Sequence, residues 1–258
     1  MKVHKAIKQL LKTPSIVRPY RHIFLLSHMR ANTSLFGHIL GEHPDVNGYY
    51  EMHIGYYSWK SKLRQKLLYV QDHELKPRSK FFFDKILHTG HHVSSDILNQ
   101  KDVVPIFSLR APEQTIPSIV KLFENKPNHE CHTKDGAIRY YQERLAELSS
   151  LCMQVDNFIY LDADANRQNT KNTLESLTKA LEFKSPLTES FKPKKLTGIG
   201  TSGDLSGNLL SGKVRTTISK YDNITLSEKE STALSNTYNK TRDLMIKNAH
   251  QVIKSQKT

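Results

Sequence analysis

Short, densely apolar runs alternate along this chain with longer amphipathic stretches. The first run, residues 21–27 (RHIFLLS), follows Pro19 and reads as a buried strand, since an unbroken apolar run of this length marks a strand covered on both faces. A helix is expected at Thr33–Glu42, with Leu35, Ile39 and Leu40 on one side. His43-Pro44-Asp45 ends it, because the residue before a proline is pushed out of helical geometry. Residues 46–54 read as a strand or extended turn, and 81–87 (FFFDKIL), Val103–Leu109 (VVPIFSL) and 157–161 as further strands. Helical spacing recurs over 56–71, 113–124, 137–153, 173–183 and 226–254. Residues 125–136 are loop-like and 184–215 show little periodicity. Strands alternating with helices imply an α/β fold, a central parallel sheet flanked by helices in three layers. We expect one domain over 1–258, with an N-terminal extension at 1–20, a loop-rich segment at 184–225 and a C-terminal helix at 226–254.

Composition narrows the class. The 258 residues are 37% hydrophobic and 24% charged, the balance of a globular chain able to bury a core. No apolar run approaches the ~18 residues a membrane-spanning helix needs. Residues 4–12 suggest a short basic amphipathic helix packed on its own domain, and no secretory leader is recognised in the first residues. Two cysteines, Cys131 and Cys152, do not make a disulfide framework, so a reducing cytoplasmic compartment is expected. The formal net charge of +13 attracts anions: nucleic acid, an anionic membrane, an acidic glycan or a polyphosphorylated nucleotide. Charge alone does not choose among them.

In an open parallel sheet, ligands sit beyond the carboxyl ends of the strands, so the strand-to-helix loops come first. The loop after the first strand reads Ser27-His28-Met29-Arg30-Ala31-Asn32-Thr33-Ser34-Leu35. It places a cation and two hydroxyls at a helix start, where free N–H groups and the dipole can hold a phosphate. It has no Gly-Lys-Ser/Thr and is not a Walker A loop. The alternative is that Asn32 or Thr33 simply caps the helix. A second junction, Arg110-Ala111-Pro112 through Ser118, places an arginine at a strand end and a serine eight residues on, about two turns into a helix begun by Pro112.

Together the two junctions resemble the donor-binding loops of the sulfotransferase family. The first is similar to the 5′-phosphosulfate loop, Arg/Lys-Ser-Gly-Ser/Thr-Thr-Leu/Trp, with Ala31 and Asn32 standing for Ser-Gly. The second resembles the 3′-phosphate motif, an Arg followed eight residues later by a Ser. His43-Pro44-Asp45-Val46 precedes Glu51 much as a similar His-Pro-x-Val precedes a catalytic Glu in tyrosylprotein and related sulfotransferases. Asp84-Lys85-Ile86-Leu87-His88, Tyr160-Leu161-Asp162 and Gly203-Asp204-Leu205-Ser206 resemble further family segments, so the likeness covers about residues 20–215. Gly212-Lys213-Val214-Arg215 is a poor match to the late Arg-Lys-Gly of the cytosolic enzymes.

The resemblance implies a P-loop-like fold and transfer of a sulfuryl group from 3′-phosphoadenosine 5′-phosphosulfate to the hydroxyl of an acceptor, whether glycan, lipid, tyrosine or small alcohol. Arg30, Ala31, Asn32, Thr33 and Ser34 would hold the phosphosulfate, and Arg110 and Ser118 the 3′-phosphate. Lys85 and His88 would face the acceptor. Of four candidates for the general base, Glu51, His53, Lys85 and His88, the resemblance favours Glu51, with His53, which an extended chain would turn to the same side, as the alternative. Tyrosines near Glu51 would raise its pKa by desolvation. The scheme needs no metal, and Asp162 and Asp164 read as strand-end acids rather than a Mg²⁺ site. His129, Cys131 and His132, like His88, His91 and His92, lack structural-zinc spacing. Gly198-Ile199-Gly200-Thr201-Ser202-Gly203 suits a glycine-rich lid better than a dinucleotide loop. Two rivals remain at this level: an ATP-dependent kinase and a non-catalytic module for nucleic acid or another polyanion.

Overall fold

The computed structural model describes residues 9–195, 208–214 and 224–255. Six strands form one sheet, β1 (Arg21–Leu26), β2 (Val46–Asn47), β3 (Phe81–Ile86), β4 (Val103–Leu109), β5 (Ile159–Asp162) and β6 (Gln251–Ile253), in the order β2-β3-β1-β4-β5-β6. Every pairing is parallel, which matches the α/β expectation.

Both faces are covered, as continuous apolar strands require. Along β1, Ile23 and Leu25 face a cluster with Phe36 and Ile39 of α1 (Thr33–Glu42), while Phe24 and Leu26 face the opposite cluster. That second layer contains α4 (Pro112–Phe123), α5 (Lys134–Cys152) and α8 (Glu228–Asn248), numbered after α2 (Trp59–Asp72) and α3 (Ser95–Leu98); α6 (Ala165–Gln168) and α7 (Thr170–Ala180) lie between α5 and α8 in the chain. The N-terminal extension docks on the domain: Ile16 is buried and Gln9 Nε2 donates to Val70 O at 2.7 Å. Of the helix expected over 4–12, residues 9–12 are helical and 4–8 lie outside the described residues. Among the described residues no helix is long and apolar enough to cross a membrane.

Two expectations need correction. The helix expected over 226–254 stops at Asn248, where Ala249 turns extended (ψ 136°), and the chain ends as strand β6 beside β5. Three residues carry no period of their own, so the strand is lost in the tail of the helical pattern. The strand or turn expected over 46–54 is a two-residue strand followed by irregular chain. Gly48 causes the break. Its φ is +101°, and a Cβ there would sit 2.4 Å from Phe83 O. The chain thereby leaves the sheet and carries residues 49–56 across the carboxyl end of β3. Gly48→Ala combines backbone strain with a backbone clash, and should lower stability by roughly 2–4 kcal/mol. Urea denaturation should show a lower midpoint at unchanged slope; a midpoint within error of wild type would mean the turn relaxes freely.

The strand order also fixes where a ligand fits. From β1 the chain moves toward β2 and β3, and from β4 toward β5 and β6, although β1 and β4 are neighbours. The crevice at their carboxyl ends is the topological switch point of the sheet. The loops carrying Arg30 and Arg110 both leave from it.

Candidate active site

The loop after β1 is anchored from below. Ser27 Oγ donates to Ser108 O (2.7 Å), joining the ends of β1 and β4. Arg144 of α5, fully buried, donates through Nε to Ser27 O (2.8 Å) and through Nη2 to Ile86 O (2.6 Å), joining β1 to β3. Tyr140, one turn earlier, accepts from Met29 N and donates to Leu87 O, both at 2.8 Å. Burial pushes the His28 pKa down to about 4. One neutral tautomer satisfies both of its contacts: Nδ1–H donates to Met29 O (2.9 Å), and Nε2 accepts from Arg110 N (3.0 Å).

Above this floor the backbone is left-handed twice, at Arg30 (φ 65°) and Asn32 (φ 55°). At position 32 an asparagine takes this conformation at the lowest cost open to a residue with a side chain. Asn32 stands at the N-cap of α1 but does not cap it. Its amide donates to Ala163 O (3.0 Å) and Asp164 Oδ1 (2.9 Å). The simple capping alternative is thus excluded for Asn32, and the first N–H groups of α1 face the loop without a side-chain cap.

The second loop meets the first directly. Pro112 does start α4, and Ser118 is buried two turns along it. Arg30 Nε donates to Ser118 Oγ at 2.7 Å. Arg110, only 6% exposed, donates through Nη1 to Arg30 O (3.1 Å) and through Nε to Asp164 Oδ1 (3.0 Å). Its own carbonyl accepts from Tyr141 Oη (2.8 Å). Arg30, Asn32, Arg110 and Ser118 therefore form one hydrogen-bonded group with Asp164 at its base.

Lys85 and Glu51 continue the site toward β3. Lys85 is buried, and its Nζ donates to Ser34 Oγ at 3.0 Å, so the lysine expected at the acceptor also adjoins the loop after β1. Asp84 beside it accepts from Met52 N (3.0 Å), Tyr56 Oη (2.6 Å) and Lys85 N (2.8 Å), pinning residues 52–56 over the strand end. Burial pushes the Asp84 carboxyl up to about 7. The Glu51 side chain is 7% exposed, with Oε1 at 3.7 Å from His53 Nδ1 and 3.8 Å from His88 Nε2. Burial raises its pKa, as expected, against the opposing charges of Lys85 and His53. His53 reaches Glu51 for a different reason from the one expected: the segment is irregular chain, with His53 at φ 53°, and not an alternating strand.

The two acids at the carboxyl end of β5, Asp162 and Asp164, are both paired. Asp162 accepts from Arg242 through both oxygens (2.8 and 2.7 Å), and Asp164 holds Arg110 and Asn32. The Gly198–Gly203 stretch, Gly203-Asp204-Leu205-Ser206 and Arg215 lie outside the described residues.

An α/β parallel-sheet protein with a cationic cradle at its switch point is the class that fold and site define. No family model matches the chain, and no curated protein matches it either. Solved structures do. The chain is similar to the sulfotransferase domain from the curacin biosynthetic pathway (TM-score 0.52, 12% identity, covering 86% of this chain and 98% of that one). It is also similar to the sulfotransferase domain from the Synechococcus PCC 7002 olefin synthase (TM-score 0.58, 16% identity, 86% and 96% covered). The chain has the fold of these sulfotransferase domains along nearly their whole length.

Proposed function

We propose that this protein is a sulfotransferase that moves a sulfuryl group from 3′-phosphoadenosine 5′-phosphosulfate to an acceptor hydroxyl. The observation that carries this reading is that hydrogen bonds join the two loops, while Lys85 bonds the first of them and acts electrostatically on a buried carboxylate. Arg110 and Ser118 both bond Arg30, Lys85 bonds Ser34, and the carboxylate is that of Glu51. In this reading the donor lies across the crevice. Arg110 and Ser118 hold its 3′-phosphate. Arg30, Thr33, Ser34 and the backbone of Ala31 and Asn32 hold the phosphosulfate.

The acceptor oxygen attacks sulfur in line, and the bridging S–O bond breaks toward the 5′-phosphate. Glu51 takes the acceptor's proton, while Arg30 and Lys85 offset the charge that grows on the leaving oxygen. His53 and His88 border the acceptor. No step in this scheme draws on a metal. A kinase reading is not favoured, since Asp162 is already paired with Arg242 and the loop lacks a Walker A lysine.

Calorimetry with adenosine 3′,5′-bisphosphate, adenosine 5′-monophosphate, ATP and an oligonucleotide tests the reading. The bisphosphate should bind best. Arg110→Ala should weaken it by ~1.5–3 kcal/mol, the scale of a charged hydrogen bond, and leave the monophosphate nearly unchanged. Equal losses for both ligands would make Arg110 structural. Tight ATP binding with no bisphosphate binding would overturn the assignment.

A further inference from the structure

Glu51, His53 and His88 bring a carboxylate oxygen and two imidazole nitrogens within 4.8 Å of one another. No sequence motif announces the group, because Glu51 and His53 lie before β3 and His88 after it. The fold assembles it: Asp84 pins the 52–56 segment over β3, and the left-handed backbone at His53 turns that residue back toward Glu51.

We propose that these three side chains form a Zn²⁺ site, and that its occupation switches off transfer by taking the Glu51 carboxylate out of proton chemistry. Two nitrogens and one carboxylate oxygen are the ligand types of zinc centres that keep a fourth position open, whereas Mg²⁺ favours oxygen ligands throughout. Ligand atoms of a tetrahedral zinc stand about 3.3 Å apart, given bonds of about 2.0–2.1 Å. The Glu51 pairs are at 3.7 and 3.8 Å, so small side-chain rotations close the set. The histidines have that freedom, with side chains 42% and 34% exposed.

An independent observation points to a cation. Glu51 Oε1 is buried without a hydrogen-bond partner among the described residues. A buried acceptor in that state is costly unless something satisfies it. His91 stands close by, its ring 5.5 Å from that of His53, but its participation is not required.

The metal site stands on this geometry alone; only its inhibitory consequence rests on the proposed sulfotransferase reading. The test uses chelator-stripped full-length protein. Co²⁺ is titrated by visible absorption, and Zn²⁺ by competition with a chromophoric chelator. We expect one equivalent of Zn²⁺ to bind and to raise the melting temperature. His53→Ala and His88→Ala should each weaken binding by roughly tenfold to a hundredfold. His92→Ala, at a mostly exposed ring near Glu147, should leave it unchanged. Zn²⁺ affinity equal in wild type and in both folded variants would overturn the site. Two independent variants and the wild-type melting shift keep the test decisive if one variant fails to fold.

Turnover supplies the second arm. Stoichiometric Zn²⁺ should stop sulfuryl transfer, and a chelator should restore it. Faster turnover with Zn²⁺ would overturn the inhibitory role. Binding of adenosine 3′,5′-bisphosphate, measured in parallel, separates the two claims. Its absence alongside variant-sensitive metal binding would remove the donor assignment and leave the metal site standing.

Discussion

Glu51→Gln should cut turnover by ~10²–10⁴, the scale of a lost general base, while leaving adenosine 3′,5′-bisphosphate affinity within about twofold. The substitution keeps the shape of the side chain and removes its capacity to take a proton. Glu51 is buried, and that burial raises its hold on a proton, while Lys85 is the largest influence keeping it ionised. A carboxylate balanced in this way suits proton abstraction from a hydroxyl. In the proposed scheme the donor is held across Lys85, at Ser34, Arg30 and Arg110, so its affinity has no reason to follow. His53→Ala should cost less, because His53 borders Glu51 at 3.7 Å without a hydrogen bond and is more exposed. These assays belong in chelator, so that loss of the base is not confused with loss of a metal ligand. Near-normal turnover in Glu51→Gln, with none in His53→Ala, would assign the base to His53.

What could be read from sequence, and what could not, follows from the range of the interactions. Strands β1, β3 and β4 fall within a residue of expectation because each is a short, mainly apolar run covered on both faces. The bounds of α1 are legible because a loop and His43-Pro44 delimit it. The two strand-to-helix loops at 27–35 and 110–118 stand out for a similar reason: each is one continuous stretch between a strand and a helix.

The web that fixes them was not legible. Arg144 reaches Ser27 across 117 positions, and Tyr56 reaches Asp84 across 28. No local pattern encodes such distances. A weak signal exists in both cases. Asp84 and Lys85 are adjacent charges inside a strand otherwise made of Phe and Ile, and Arg144 lies among Tyr140, Tyr141, Leu145 and Leu148 on the buried side of α5. A charge where the pattern calls for an apolar residue marks a site where the fold supplies a partner.

Arg30→Ala should lower kcat by ~10²-fold or more, the scale of losing one donor that stabilises a developing oxyanion. The backbone at Arg30 is left-handed, a conformation that costs a non-glycine residue about 1–3 kcal/mol. Its Nε is fixed by Ser118 and its carbonyl by Arg110, so the guanidinium is held where the two loops proposed to hold the donor meet. A charge held there gains most when the bridging oxygen of the donor becomes negative, which is after the ground state, so the loss should fall on kcat more than on KM. Arg30→Gly separates the charge from the backbone. Glycine relieves the left-handed penalty, so this variant should be at least as stable as Arg30→Ala, yet should lose as much turnover. Arg30→Lys keeps the charge but cannot reproduce the Nε contact with Ser118, and should fall between Arg30→Ala and wild type. A rise in KM alone across the three variants, with kcat intact, would show that Arg30 only binds the donor and takes no part in the transfer itself.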